Sequence, residues 1–134
     1  RGKIKKEQLH QLMQEATDNG YELPRKEGSD HITPVANTTA TVMTRLDSVR
    51  KNSKGEIESV LDDPFFLTDS EVAGRKQAAE YARFLVDKVP GYKNSSIYGF
   101  STLIGIRETR RVYGDYRVTK EDVLKEEFVG GLGI

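Results

Sequence analysis

Three arginines and a glutamate fall within five residues, Arg107-Glu108-Thr109-Arg110-Arg111, directly after an apolar run from Ile97 to Ile104. Arginine presents a planar, permanently charged fork that matches a carboxylate or a phosphate. A chain that leaves a core and at once displays such forks suits the edge of an anion-handling site. In an extended chain Arg107, Thr109 and Arg111 share one face, and Glu108 and Arg110 the other. A second reading is a solvated edge strand, with Glu108 paired to a neighbouring arginine and the charges guarding against edge-to-edge association.

Other residue groups offer less. The terminal Gly130-Gly131-Leu132-Gly133 has the look of a phosphate loop, but a dinucleotide fingerprint needs a strand before it and a helix after it. Only Ile134 follows, so a tail or a truncated strand fits better. His10 and His31 are far apart, and neither has a Ser or Cys partner in a recognisable arrangement. Asp62-Asp63-Pro64 and Glu126-Glu127 are adjacent carboxylates, which diverge along a chain and read as turn and solvated-helix features rather than acid–base pairs. No catalytic residue is assigned from the sequence.

Composition narrows the class. The chain has 134 residues, with Lys+Arg and Asp+Glu both at 21 and a net charge of zero. Nucleic-acid binding draws on an excess of cations, so this balance argues against it. The absence of cysteine removes a disulfide framework and thiolate metal ligation, and two distant histidines make a His-based metal site unexpected. No apolar run approaches the length of a membrane span. The N-terminus, Arg1-Gly2-Lys3-Ile4-Lys5-Lys6, lacks the apolar stretch of a signal peptide and an initiator Met. An excised fragment or a trimmed terminus would look this way, and a cytoplasmic location is favoured.

The elements that must position the arginines follow from periodicity. Lys5 to Asn19 reads as an amphipathic helix on Leu9, Leu12, Met13 and Ala16, stopped by Asn19-Gly20. Tyr21 to Asp30 reads as a loop. The Thr- and Val-rich stretch predicts a strand over Ala36 to Leu46, with a shorter one near Ile32 to Val35. Ser48 to Glu58 reads as a solvated connection with a turn at Asn52 to Gly55. Thr68-Asp69-Ser70-Glu71 fits a capping box, starting a helix that runs to Pro90-Gly91. Its apolar stripe is Val72, Ala79, Ala82, Val86 and Val89, widened by Ala78, Tyr81 and Leu85.

Ile97 to Ile106 reads as a central strand. Tyr98, Phe100, Thr102, Ile104 and Ile106 form one row, and the small opposite face of Gly99, Ser101, Leu103 and Gly105 invites close packing by a helix or a ligand. Val112 to Val118 is a possible second strand, and Thr119 to Leu124 a short helix capped by Thr119. The expected fold is α+β: a small, mostly antiparallel sheet with two main helices, about Lys5 to Asn19 and Asp69 to Lys88, packed on it.

The stretch Gly105-Ile106-Arg107-Glu108-Thr109-Arg110-Arg111, followed by Gly114-Asp115-Tyr116 and Val118-Thr119-Lys120-Glu121-Asp122-Val123, resembles a family of bacterial FAD-dependent oxidoreductases. Those proteins carry a G-x-R-E-[ST]-R-R segment, a G-[DE]-Y step and an L-T-x-E-D-V helix start. The likeness is best from about Asp63 to Phe128. The family's Phe-Asp step near the C-terminus keeps Phe128 and loses the Asp. The resemblance implies that Gly105, Arg107, Glu108, Arg110 and Arg111 lie near flavin or substrate, with Gly105 allowing close backbone approach.

No G-x-G-x-x-G unit occurs in these residues. The resemblance therefore implies a single substrate-side subdomain, residues 1–134, of a larger flavoprotein. Its partners would be the FAD-binding domain of the same polypeptide and a small-molecule substrate. FAD would be the parent's cofactor and would not bind this portion alone. The alternative is a stand-alone, non-catalytic α+β module that uses the arginine-rich strand to hold an acidic partner.

Overall fold

The computed structural model of the chain describes residues 4–107 and 112–125. Helix α1 spans Lys6–Asp18, within a residue of its expected bounds, and buries Leu9, Met13 and Ala16. The Gln8 carboxamide accepts the Lys5 N–H at 2.9 Å, satisfying one of the donors that a helix start leaves unpaired. At the other end Gly20 adopts φ 89°, a left-handed value that costs glycine nothing. The Tyr21 N–H then reaches back to the Ala16 carbonyl and the Gly20 N–H to that of Thr17, the paired closure typical of such a glycine stop.

Strands β1, Ser29–Ile32, and β2, Thr39–Val42, pair antiparallel with His31 opposite Ala40. β2 is shorter than the strand expected over Ala36 to Leu46, and β1 is as long as the one expected near Ile32 to Val35 but begins earlier, at Ser29. Gly28, at the entry to β1, is buried, and a Cβ there would sit 2.7 Å from the Met43 Cγ and 3.2 Å from the Met13 Cε. The hairpin therefore closes onto α1 only because that residue lacks a side chain.

Strands β3, Val49–Lys51, and β4, Ile57–Ser59, form a second antiparallel hairpin where the sequence suggests a solvated connection. The Asn52 side-chain oxygen accepts from the Lys54 and Glu56 N–H groups at 3.0 and 2.9 Å, and so holds the turn.

Helix α2 spans Pro64–Lys88 and begins a full turn before the Thr68 start read from the sequence. Asp63 is the cap: its Oδ1 accepts the Phe65 N–H at 2.9 Å, and Pro64 holds the first helical position, where its fixed φ and missing N–H suit the helix. The Thr68–Glu71 box is not made. The Thr68 hydroxyl donates to the Pro64 carbonyl at 2.9 Å, inside the helix. Of the expected stripe, Tyr81, Leu85 and Val89 are buried and Val72 is 49% exposed, while Phe66, Ser70 and Phe84 complete the buried face.

The core joins α1 to the C-terminal half of α2. Leu9, Met13, Ala16, Leu23, Met43, Tyr81, Phe84, Leu85, Val89 and Tyr92 form one cluster, and Met13 and Phe84 are fully buried. Two tyrosines fasten the loop after α1. The Tyr81 hydroxyl donates to the Arg25 carbonyl at 2.7 Å and accepts from the Arg25 N–H at 2.8 Å. Tyr21 meets Phe84 edge to face at 6.3 Å, carries the Arg83 guanidinium over its ring at 4.0 Å, and donates its hydroxyl to Asp87 at 2.7 Å.

The class is α+β, as expected, but it is built from two separate two-stranded antiparallel sheets, β1-β2 and β3-β4, rather than one sheet with a central strand. Ile97 to Ile106 is not a strand, and neither are residues 112–118. Alternation alone does not make a strand, since the backbone needs a partner edge, and both observed sheets are paired between their own two members. Helix α3, Lys120–Lys125, follows a reciprocal cap in which the Thr119 N–H donates to Asp122 Oδ2 and the Asp122 N–H to the Thr119 hydroxyl.

Candidate functional site

The arginine segment is rooted on α2. The Ile104 N–H donates to Glu71 Oε1 at 2.6 Å, so the carboxylate read as a helix cap instead grips the incoming chain. Beside it, a Cβ at Gly74 would lie 3.7 Å from the Ile104 Cγ2, which places that side chain against a glycine-flattened patch of the helix. The Arg75 guanidinium sits 5.3 Å from the Phe100 ring centroid, within cation–π range. Three contacts from little more than one turn of α2 thus fix where the segment leaves the body.

Beyond that root the chain is open. Gly105 and Arg107 are exposed, and a Cβ built at Gly105 or Gly99 meets no described atom within 4 Å. The close packing expected on this small face is therefore not made within the described residues, and the approach to the Gly105 backbone is clear. Glu108, Arg110 and Arg111 lie outside the described residues. Downstream, Val112 and Tyr113 are 96% and 98% exposed. The Tyr116 hydroxyl donates to Asp122 at 2.6 Å. That bond raises the phenol above its ordinary pKa. The same bond, with those from Thr119, holds the Asp122 carboxyl low.

A second charged centre was not legible in the sequence. Arg50 on β3 bonds Glu58 at 3.2 Å, Asp63 at 2.7 Å and Asp69 at 2.8 Å, and stacks 4.4 Å from the Phe66 ring centroid. One guanidinium thus ties the hairpin to the first turns of α2. The bond that Arg50 donates to Asp69, then those to Glu58 and Asp63, raise its pKa. Partial desolvation would raise the Asp63 carboxyl, but the Phe65 and Phe66 amides and Arg50 outweigh it and hold it below its ordinary value. The signal in the sequence is the cross-strand pairing of Arg50 with Glu58, visible only once the Asn52 turn sets the register.

A cleft of about 280 Å³ lies between the start of α1, β1 and the end of α2. Leu9, Leu85 and Val89 line it together with Asp30, His31 and Tyr92. The Tyr92 hydroxyl donates to Asp30 Oδ2 at 2.9 Å. His31 Nε2 lies 3.1 Å from the Ser29 hydroxyl oxygen, a neighbour that the sequence reading did not provide. Alternation along β1 sends Asp30 to the opposite face, toward Tyr92, so among the described residues no carboxylate backs the imidazole as nucleophile activation requires.

The fold and this geometry define a small α+β body that displays a glycine–arginine segment from a fixed root on its long helix. Residues 2–132 match the model of the FAD dependent oxidoreductase family, so the chain belongs to that family. No curated relative and no solved structure matches it significantly.

Proposed function

We propose that these residues form the substrate-side portion of a FAD-dependent oxidoreductase, in which the segment from Gly105 to Arg111 lies beside the flavin or its substrate. The observation that carries this reading is the combination at one place of a fixed root, the Glu71–Ile104 bond, and an open, cationic continuation through Gly105 and Arg107. Family membership supplies the cofactor, and the sequence contains no G-x-G-x-x-G turn to hold its pyrophosphate. The FAD-binding domain is then another part of the same polypeptide. FAD, when bound, supplies the redox chemistry. The residues of this chain orient the substrate and place positive charge where an anionic group has to be held.

The open space over Gly105 fits this role, because a ligand atom can reach the backbone there without displacing a described side chain. Arg107, which shares that face by alternation, is the arginine assigned to ligand contact. In the full-length protein Arg107→Ala should lower turnover or flavin retention about 10- to 100-fold, the equivalent of losing one charge-assisted hydrogen bond. Lys54→Ala, in the β3–β4 turn, is the control. Arg75 does not serve, because it stacks on Phe100. Unchanged flavin content and turnover in Arg107→Ala and Arg110→Ala, with an intact melting temperature, would make the cluster a solvated edge and defeat the proposal.

A further inference from the structure

We propose that the first half of α2 carries a separate binding site, which takes a primary ammonium group on a short apolar stem. The proposal goes beyond the functional reading above and does not rest on it. A cleft of about 240 Å³ lies between α2 and the chain that leads into β3. Phe66, Asp69, Ser70 and Ala73 form its α2 wall, at the i, i+3, i+4, i+7 spacing of one helix face. The chain from Leu46 to Arg50 forms the facing wall.

Ser70 is the residue that points to a ligand. It is 5% exposed and lines the cleft, yet its hydroxyl bonds no described residue. A serine or threonine inside a helix can return its hydroxyl to the carbonyl four residues back, as Thr17 does to Met13 at 2.8 Å and Thr68 to Pro64 at 2.9 Å. Ser70 makes no such bond. A buried hydroxyl without a partner costs free energy, so an apolar residue would be the more stable choice at this position unless something else uses the oxygen.

Charge identifies the class of ligand. Asp47 lines the same cleft, is exposed, and has no partner among the described residues. Asp69 gives its Oδ2 to Arg50 at 2.8 Å, which leaves Oδ1. Around the cleft the Arg50 guanidinium stands against four carboxylates, those of Asp47, Glu58, Asp63 and Asp69, so an anion is disfavoured. Among the described residues no group of three or more His, Asp or Glu is arranged to hold a metal ion. An ammonium carries three N–H donors, and Asp47, Asp69 Oδ1 and the Ser70 oxygen are three acceptors. Leu46, Val49 and Ala73 supply apolar surface for the stem. At about 30 Å³ per water the cleft has room for roughly eight waters, which suits a small amine and is too little for a nucleotide.

The test is a titration of residues 1–134 with n-butylammonium chloride at neutral pH, followed by amide chemical shifts. Saturation at millimolar amine is expected, with the shifts confined to residues 46–50 and 66–73. Ser70→Ala should weaken binding about 5- to 10-fold while leaving the melting temperature unchanged or higher, because no bond to a described residue is lost. Asp47→Asn should weaken it at least as much. Glu27→Gln, which removes an exposed carboxylate from the loop after α1, should have no effect. Butyrate and n-butanol should not saturate. Nα-acetyl-lysine N-methylamide separates the two sources of such a group. Binding as tight as that of butylammonium assigns the cleft to the lysine side chain of a partner, and binding of butylammonium alone assigns it to a free amine. No saturation by butylammonium, equal binding of butanol, or unchanged affinity in both Ser70→Ala and Asp47→Asn overturns the proposal. A lower melting temperature in Ser70→Ala also overturns it, since the hydroxyl would then serve the fold.

Discussion

Glu71→Ala should release the root of the arginine segment without unfolding the domain. The Glu71 carboxylate accepts the Ile104 N–H at 2.6 Å in a half-buried setting. Hydrogen bonds to charged groups contribute about 1.5–3 kcal/mol when well shielded. Partial exposure puts this one near the lower end, about 1–2 kcal/mol. At about 1.4 kcal/mol per decade that becomes roughly 5- to 30-fold faster exchange of the Ile104 amide. Glu71→Gln keeps an acceptor and loses the charge, so about half the free energy and roughly a 2- to 5-fold effect are expected.

The core cluster contains no residue of 97–107, so opening there is local. The melting midpoint should then move by less than about 2 °C. The Arg45 N–H, which donates to the Gln77 side chain of the same helix at 2.9 Å, is the internal control and should not change. Amide exchange by NMR on residues 1–134 measures all of this at once. If Ile104 exchanges equally fast in wild type and Glu71→Ala, the carboxylate does not hold the segment. If Arg45 and the α1 amides accelerate with it, the effect is global and the tether is not a local device.

Three further outcomes are expected. Phe84→Ala removes a fully buried ring from the centre of the cluster and should cost about 3–5 kcal/mol, read from urea unfolding followed by far-UV dichroism. Asp63 carries a depressed pKa in the folded chain, so its contribution is present above the ordinary carboxylate value of about 4 and is lost as pH falls through the lower folded value. The stability difference between wild type and Asp63→Asn should accordingly be full at neutral pH and vanish in strong acid. Arg50, whose pKa is raised, stays charged across that whole range and does not contribute to the slope. Finally, residues 1–134 titrated with FAD should show no saturable quenching of flavin fluorescence at micromolar protein, because no glycine-rich strand–helix turn is present to hold the pyrophosphate; tight binding would mean that the cofactor site lies within this chain.

How far the sequence could be read depended on whether an element's partners were local. Helix α1 was legible because its stripe, its length and its Asn19-Gly20 stop agree, and all three are encoded within about four turns. The start of α2 was misplaced because two caps compete. Asp63-Pro64 and Thr68-Glu71 both have cap chemistry, and Pro64 decides between them by fixing φ one turn earlier. Once the helix begins there, Glu71 sits inside it with a free carboxylate, and it takes the Ile104 N–H instead. Tyr81, Leu85 and Val89 of the expected stripe do face the core, but Val72 and Ala79 stay at the surface and Phe84, outside the stripe, fills the wall that α1 and Met43 present.

The stretch from Ile97 onward shows the opposite case. Its alternation is that of a strand, yet it pairs with no strand of the described residues. Pattern specifies which conformation a segment can use and which side chains it can bury. Pairing specifies whether it does so, and that depends on a second edge. A segment whose local pattern and observed setting disagree in this way is where a contact from elsewhere in the protein has the most free energy to gain.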